Sequence, residues 1–224
     1  MSRNGAAPAP IAGIVLAGGL SSRMGGREKA LLPLGGRPLL SRVVERATPQ
    51  VAALALSANG DPTRLASFGL PVLADSVPGF AGPLAGILAA LDWAAAAAAG
   101  FDTVASFACD TPFFPADLVA RLVAARQREG AVIARAASAG RVHPIFALWP
   151  VALREELRRA LRHDGPRQVV AWSARHGVAT AQFDATPFDP FFNINTPEDL
   201  ARAEGLLGAA VSADNAQEDG TQNG

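Results

Sequence analysis

An α/β fold, with a mostly parallel sheet and helices on both of its faces, is predicted by three features of the sequence. Short apolar runs rich in Val, Ile, Leu and Phe recur seven times between residues 11 and 184, and segments of helical length lie between them. The first of these runs are continuously apolar rather than alternating, which is the pattern of strands covered on both sides.

The strands are expected at 11–17 (IAGIVLA), 51–58 (VAALALSA), 70–75 (LPVLAD), 103–110 (TVASFACD), 131–136 (AVIARA), 142–149 (VHPIFALW) and 178–184 (VATAQFD). Helices are expected over 37–48, 82–97, 115–130 and 151–162. A last helix starts at Thr196, whose hydroxyl suits a cap, with Pro197 in its first position and Glu198 and Asp199 in its first turn. No repeat or linker divides the chain between 11 and 207. One domain over 11–208 is therefore expected, between a disordered lead (1–10) and a disordered polar tail (209–224).

Composition excludes several classes. Twenty Lys and Arg balance twenty Asp and Glu, so no bulk field draws in nucleic acid or an anionic membrane, and any anion must be caught locally. One cysteine and three scattered histidines provide neither a disulfide framework nor a zinc cluster, which fits a reducing cytoplasm. The stretch PLAGILAALDWAAAAAAG is mostly alanine and is interrupted by Asp92, so it reads as a packed helix rather than a membrane span.

In a sheet of this kind ligands sit beyond the carboxyl ends of the strands. After the first strand come Gly18, Gly19, Gly25 and Gly26, then Arg23 and Lys29 as fixed positive charges. Glycines let backbone N–H groups gather around an anion, and each bond to a charged acceptor is worth about 1.5–3 kcal/mol. A di- or triphosphate is the expected guest. The loop is not a P-loop, because Arg27 and Glu28 separate Gly26 from Lys29, and it does not give GxGxxG.

The stretch LAGGLSSRMGGREKALLPLGGRPLL, with CDTPF at 109–113 and NINTPEDL at 193–200, resembles the molybdenum cofactor guanylyltransferases, the MobA family of nucleotidyltransferases, and that resemblance implies a Rossmann-like nucleotidyltransferase fold. The resemblance implies that Leu16, Ala17, Gly18 and Gly19 meet a guanine nucleotide and that Lys29 and Arg23 serve its phosphates. It also gives readings to residues that the sequence alone leaves open. Asn59 in SANGD is either a turn residue or an amide able to read a purine edge; the family places a nucleotide-binding asparagine here. Asp75, ahead of GPLAG at 82–86, is either a helix-start acid or, as in the family, a nucleotide ligand.

Asp110 is a hard carboxylate at a strand end, suited to Mg2+ that takes its other ligands from phosphates and water, and the family's CD-x-P aspartate binds the metal. Its neighbour Cys109 reads as a small core residue. Arg141 and His143 are pocket residues without an assigned role, since a His before Pro at a strand start shapes the chain more often than it moves protons. Alternation in Asn193-Ile194-Asn195 turns both amides to one face and buries the isoleucine; the resemblance assigns that face to molybdopterin, while capping is the other reading of Asn195.

The reaction this implies is transfer of GMP from GTP to molybdopterin, with Mg2+, forming the guanine dinucleotide cofactor and pyrophosphate, with transient contact to molybdenum cofactor biosynthesis proteins or client molybdoenzymes. The alternatives are a related transferase using CTP and a non-catalytic molybdopterin carrier. LAGG rather than LAAG favours guanine, and an intact phosphate loop with Asp110 argues against a mere carrier.

Overall fold

All seven expected strands form, and they lie side by side in one sheet. The computed structural model describes residues 9–18, 29–77, 82–163 and 168–207. The strands are β1 (Ile11–Leu16), β4 (Ala53–Ser57), β5 (Val72–Leu73), β6 (Thr103–Ala108), β7 (Ile133–Ser138), β8 (Arg141–Pro150) and β9 (Val178–Phe183), and a two-stranded hairpin adds β2 (Pro33–Leu34) and β3 (Arg37–Pro38). The sheet order is β5-β4-β1-β6-β8-β7-β9, and only β8 runs against its neighbours. From β1 the chain moves outward through β4 to β5, then returns to the other flank of β1 for β6. That reversal opens a crevice past Leu16 and Ala108, which are paired in register.

Side-chain alternation feeds two cores. Val15, Leu54, Leu56, Ala105 and Phe107 face α1 (Leu39–Ala47) and α3 (Leu118–Glu129). Ala12, Ile14, Ala55 and Val104 face α2 (Pro83–Ala96), α4 (Arg154–Arg162) and a short α5 (Val169–Ser173). The alanine-rich helix is thus a core element, with nine of its residues buried. No helix of the described residues is long and apolar enough to cross a membrane.

The approach of α2 to the sheet depends on one glycine. A Cβ on Gly86 would collide with the Ser57 hydroxyl and lie 2.9 Å from Leu16 Cδ2, both at the ends of strands that frame the crevice. Gly86→Ala should therefore destabilise the protein by about 1–3 kcal/mol through overpacking, despite alanine's better helix propensity. An unchanged urea midpoint would show that α2 can back away from the sheet at no cost.

The hairpin and α5 are not among the expected elements, and β3 takes Arg37 and Pro38 out of the helix expected over 37–48, which starts at Leu39. Both strands of the hairpin are two residues long, and Gly35 and Gly36 turn the chain with positive φ of 58° and 71°. Leu34 and Leu39 then form a third small core with Ile194 and Ala203. The Gly35 N–H donates to Glu204 Oε1 at 2.8 Å, so the hairpin grips the helix that runs over 197–207. This contact fixes the segment that carries Asn193 and Asn195.

Candidate active site

Lys29 opens a 3-10 turn (Lys29–Leu31) anchored by buried Ala30, and its ammonium reaches across the crevice. It donates to Asp110 Oδ2 at 2.6 Å and to Asn195 Oδ1 at 2.6 Å. Only 13% of the lysine side chain and 22% of the aspartate's are exposed, so their attraction is less screened than that of a surface pair.

Asp110 sits two residues beyond β6 and is fastened to the C-terminal segment. Its carbonyl accepts from Ile194 N at 2.9 Å. Buried Thr111 places its hydroxyl 3.1 Å from Asp110 Oδ1 and 2.6 Å from Asn193 Oδ1; having one proton, it serves one of them at a time while drawing both together. Each carboxylate oxygen of Asp110 is thereby linked, through one intermediary, to one of the two asparagines.

Asn193 and Asn195 are exposed and Ile194 is fully buried, so the expected alternation holds, although the segment joins no sheet ladder. The following helix is capped as its sequence suggests. Asp199 N donates to Thr196 Oγ1 at 3.2 Å, and Asp199 Oδ2 accepts from the backbone of Thr196 at 3.0 Å and of Asn195 at 2.9 Å. Thr196 is the cap; the Asn195 side chain is spent on Lys29 instead.

A second cluster lies at the ends of β4 and β5. Asn59 Nδ2 donates to Asp75 Oδ2 at 2.7 Å, and Asp75 N donates to Asn59 Oδ1 at 2.9 Å. The amide therefore acts as a clasp on the aspartate, whose Oδ1 stays outside the clasp. Neither residue is in its strand: β4 ends at Ser57 and β5 at Leu73. Between the clusters, Ala17 N donates to Ser57 O at 2.9 Å and Leu16 O accepts from Cys109 N at 3.3 Å, so the sheet continues one step past β1 before Gly18 leaves it. Gly19 and Arg23 lie outside the described residues. β5 and β6 stand three strand spacings apart, about 14 Å, so the two clusters occupy opposite flanks of β1 and β4.

Cys109 is buried and makes no disulfide, as a core residue should. Among the described residues no group of three or more His, Cys, Asp and Glu could hold a metal by itself. Three polar residues of the crevice edge escape sequence reasoning: Thr111, Ser138 and Asp189. Thr111 stands inside the CDTPF signature, where its position beside Asp110 was a usable signal. Ser138 and Asp189 carry no local motif, because their neighbours in space come from other strands and loops.

Polar groups gathered at the switch point of such a sheet mark the ligand-binding crevice of an open α/β protein. Residues 13–179 match the MobA-like NTP transferase domain. The protein is 57% identical to the molybdenum cofactor guanylyltransferase of Rhodopseudomonas palustris (strain HaA2), over 89% of this chain and 92% of that one. It is 53% identical to the enzyme of the same name from Bradyrhizobium sp. (strain ORS 278), over 88% and 92%. In three dimensions it resembles the crystal structure of molybdopterin-guanine dinucleotide biosynthesis protein A from Archaeoglobus fulgidus, with a TM-score of 0.70, 26% identity, and coverage of 88% and 99%. The chain belongs to the MobA-like NTP transferase family, and within it to the molybdenum cofactor guanylyltransferases, which are enzymes.

Proposed function

We propose that the protein joins GMP from GTP to the phosphate of molybdopterin and releases pyrophosphate. The observation that carries this reading is Lys29, one ammonium that touches both Asp110 and Asn195 and so stands where two anionic substrates would meet. A terminal phosphate oxygen of molybdopterin forms a bond to the α-phosphorus of GTP, and the bond from that phosphorus to the bridging oxygen of the β-phosphate breaks. The attacking group is already an anion, so no side-chain nucleophile is required. Alignment and neutralisation of charge are what the residues supply.

In this reading Asp75, held by Asn59, accepts from the N–H donors of guanine, while Leu16 to Gly19, Arg23 and Lys29 serve the phosphates. Asn193 and Asn195 receive the pterin. Asp110 fits a divalent ion: its Oδ2 already faces a cation, and the absence of a larger ligand cluster among the described residues suits Mg2+, which draws the rest of its shell from phosphates and water. When bound there, Mg2+ would offset negative charge on the triphosphate.

The direct test mixes purified protein, Mg2+, GTP and molybdopterin and looks for the dinucleotide by mass spectrometry. Base choice is tested by thermal shift. GTP is expected to raise Tm more than CTP at equal concentration, because cytosine lacks the adjacent pair of donors that a carboxylate at position 75 would accept. Preferential stabilisation by CTP would overturn the guanine assignment.

A further inference from the structure

Ser138, His143 and Asp189 form a polar cluster at the same crevice edge, and no role assigned above uses it. Ser138 ends β7 and is fully buried; His143 is half-buried near the start of β8; Asp189 comes from the loop before Asn193. The Ser138 hydroxyl lies 2.6 Å from Asp189 Oδ1 and 2.7 Å from His143 Nε2. Asp189 Oδ1 also accepts from Phe191 N at 3.0 Å, so it is an acceptor throughout.

One hydroxyl carries one proton, and beside a carboxylate oxygen at that distance the proton must go to Asp189. Ser138 then offers His143 only a lone pair, and Nε2 has to be the protonated ring nitrogen. Nδ1 is left as an acceptor with no partner among the described residues. It is not sealed in the core either, since the buried side-chain nitrogens lacking a partner among the described residues belong to Trp172 and His176. Phe191 covers the imidazole with ring centroids 4.4 Å apart and planes 18° from parallel, which fixes its orientation.

A two-residue hairpin turn holds Ser138 close to His143. Ala139 and Gly140 join β7 to β8 with φ of 47° and 74°, and a non-glycine residue in that region costs about 1–2 kcal/mol. A register shift between Arg135 and Ala136 sets Ala136 opposite His143. Irregularity of this sort re-aims side chains at ligand sites.

We propose that Ser138 and Asp189 lock His143 in one tautomer so that its Nδ1 lone pair accepts an N–H of the heterocyclic second substrate. This rests on the proposed reading of that substrate as a pterin, which carries such donors. His143 is then a specificity residue that leaves proton transfer to nothing, and Ser138 and Asp189 are positioning residues. Burial supports the neutral ring by holding the His143 pKa below its ordinary value; Arg141 adds to the lowering and Asp189 opposes it. The stability this group contributes is complete above the unfolded pKa of about 6.5 and is lost as pH falls through the lower folded value.

Two variants and one spectrum test the lock. In the wild-type protein at pH 7, long-range 15N–1H correlation should show His143 neutral with the proton on Nε2; with three histidines in the chain, His143→Phe assigns the signal by its loss. Ser138→Ala should release the ring into a mixture of tautomers. His143→Phe keeps the stack on Phe191 and should raise KM for molybdopterin about tenfold, the loss of one hydrogen bond, with kcat and KM for GTP little changed. It should also flatten the fall in Tm between pH 7 and pH 5. An Nδ1–H or doubly protonated ring in the wild type, or a His143→Phe enzyme whose kcat collapses at unchanged KM, overturns the inference. Unchanged kinetics in His143→Phe beside a normal wild type overturns this inference alone, whereas a wild type that makes no dinucleotide refutes the pterin reading and the recognition with it.

Discussion

Asp110→Ala is expected to abolish Mg2+-dependent pyrophosphate release while leaving the protein folded. The carboxylate is the acid that links the two halves of the crevice, through Lys29 on one oxygen and Thr111 on the other. Loss of a fixed group that stabilises transition-state charge typically costs about 10²–10³ in kcat. Here the loss should exceed that, because the proposed anchor for the ion, the counter-charge for Lys29 and the orientation of Thr111 go together. The fold should survive: Cys109 and Thr111 stay buried, and the link from Ile194 N runs to the Asp110 backbone carbonyl, which the substitution keeps. Asp110→Asn separates charge from shape, since its amide can still meet Thr111 but cannot pair with an ammonium and a metal ion. Near-normal pyrophosphate release by either variant, with circular dichroism and Tm matching the wild type, would reject the metal assignment.

Local signals in the sequence reached far into this fold. Every long strand was legible because each is a run of apolar residues between two cores, and Ile14 and Val15 show how adjacent residues feed opposite ones. The hairpin was not, because strands as short as Pro33–Leu34 have no periodicity to read. Its weight lies in tertiary contacts of Leu34 and Gly35 with a helix more than a hundred and fifty residues away, which no local pattern announces. α5 escaped for the same reason: Val169 and Trp172 are helical because they complete the second core.

The candidate site divides along the same line. Lys29, Asp110, Asn193 and Asn195 stand in compact motifs, and the fold brings all four within hydrogen-bonding reach of one another, directly or through Thr111. Asn59 and Asp75 were each legible singly, yet their clasp was not, since 16 positions separate them. His143 was visible without a role, because the role depends on Ser138 and Asp189, which meet it only after β7 and β8 have paired.

Lys29→Met separates two functions that the wild-type site assigns to one ammonium. Guanylyl transfer should fall by about 10²–10³ in kcat, as for other donors aimed at developing charge, and Lys29→Arg should rescue little because a planar fork does not replace a point charge shared between Asp110 and Asn195. Binding of a bare divalent ion should move the other way. The ammonium lies 2.6 Å from Asp110 Oδ2, so a cation seeking that oxygen must first displace it, against an attraction less screened than at the surface. Mn2+ titrated without nucleotide and followed by electron paramagnetic resonance should therefore bind Lys29→Met more tightly than wild type. With GTP present the order should reverse, because the wild-type lysine can turn to the phosphates and leave the carboxylate to the ion. If the bare-ion affinity falls in Lys29→Met along with activity, the lysine works mainly by holding Asp110 in position, and its contact with Asn195 would be the part of the bridge that matters.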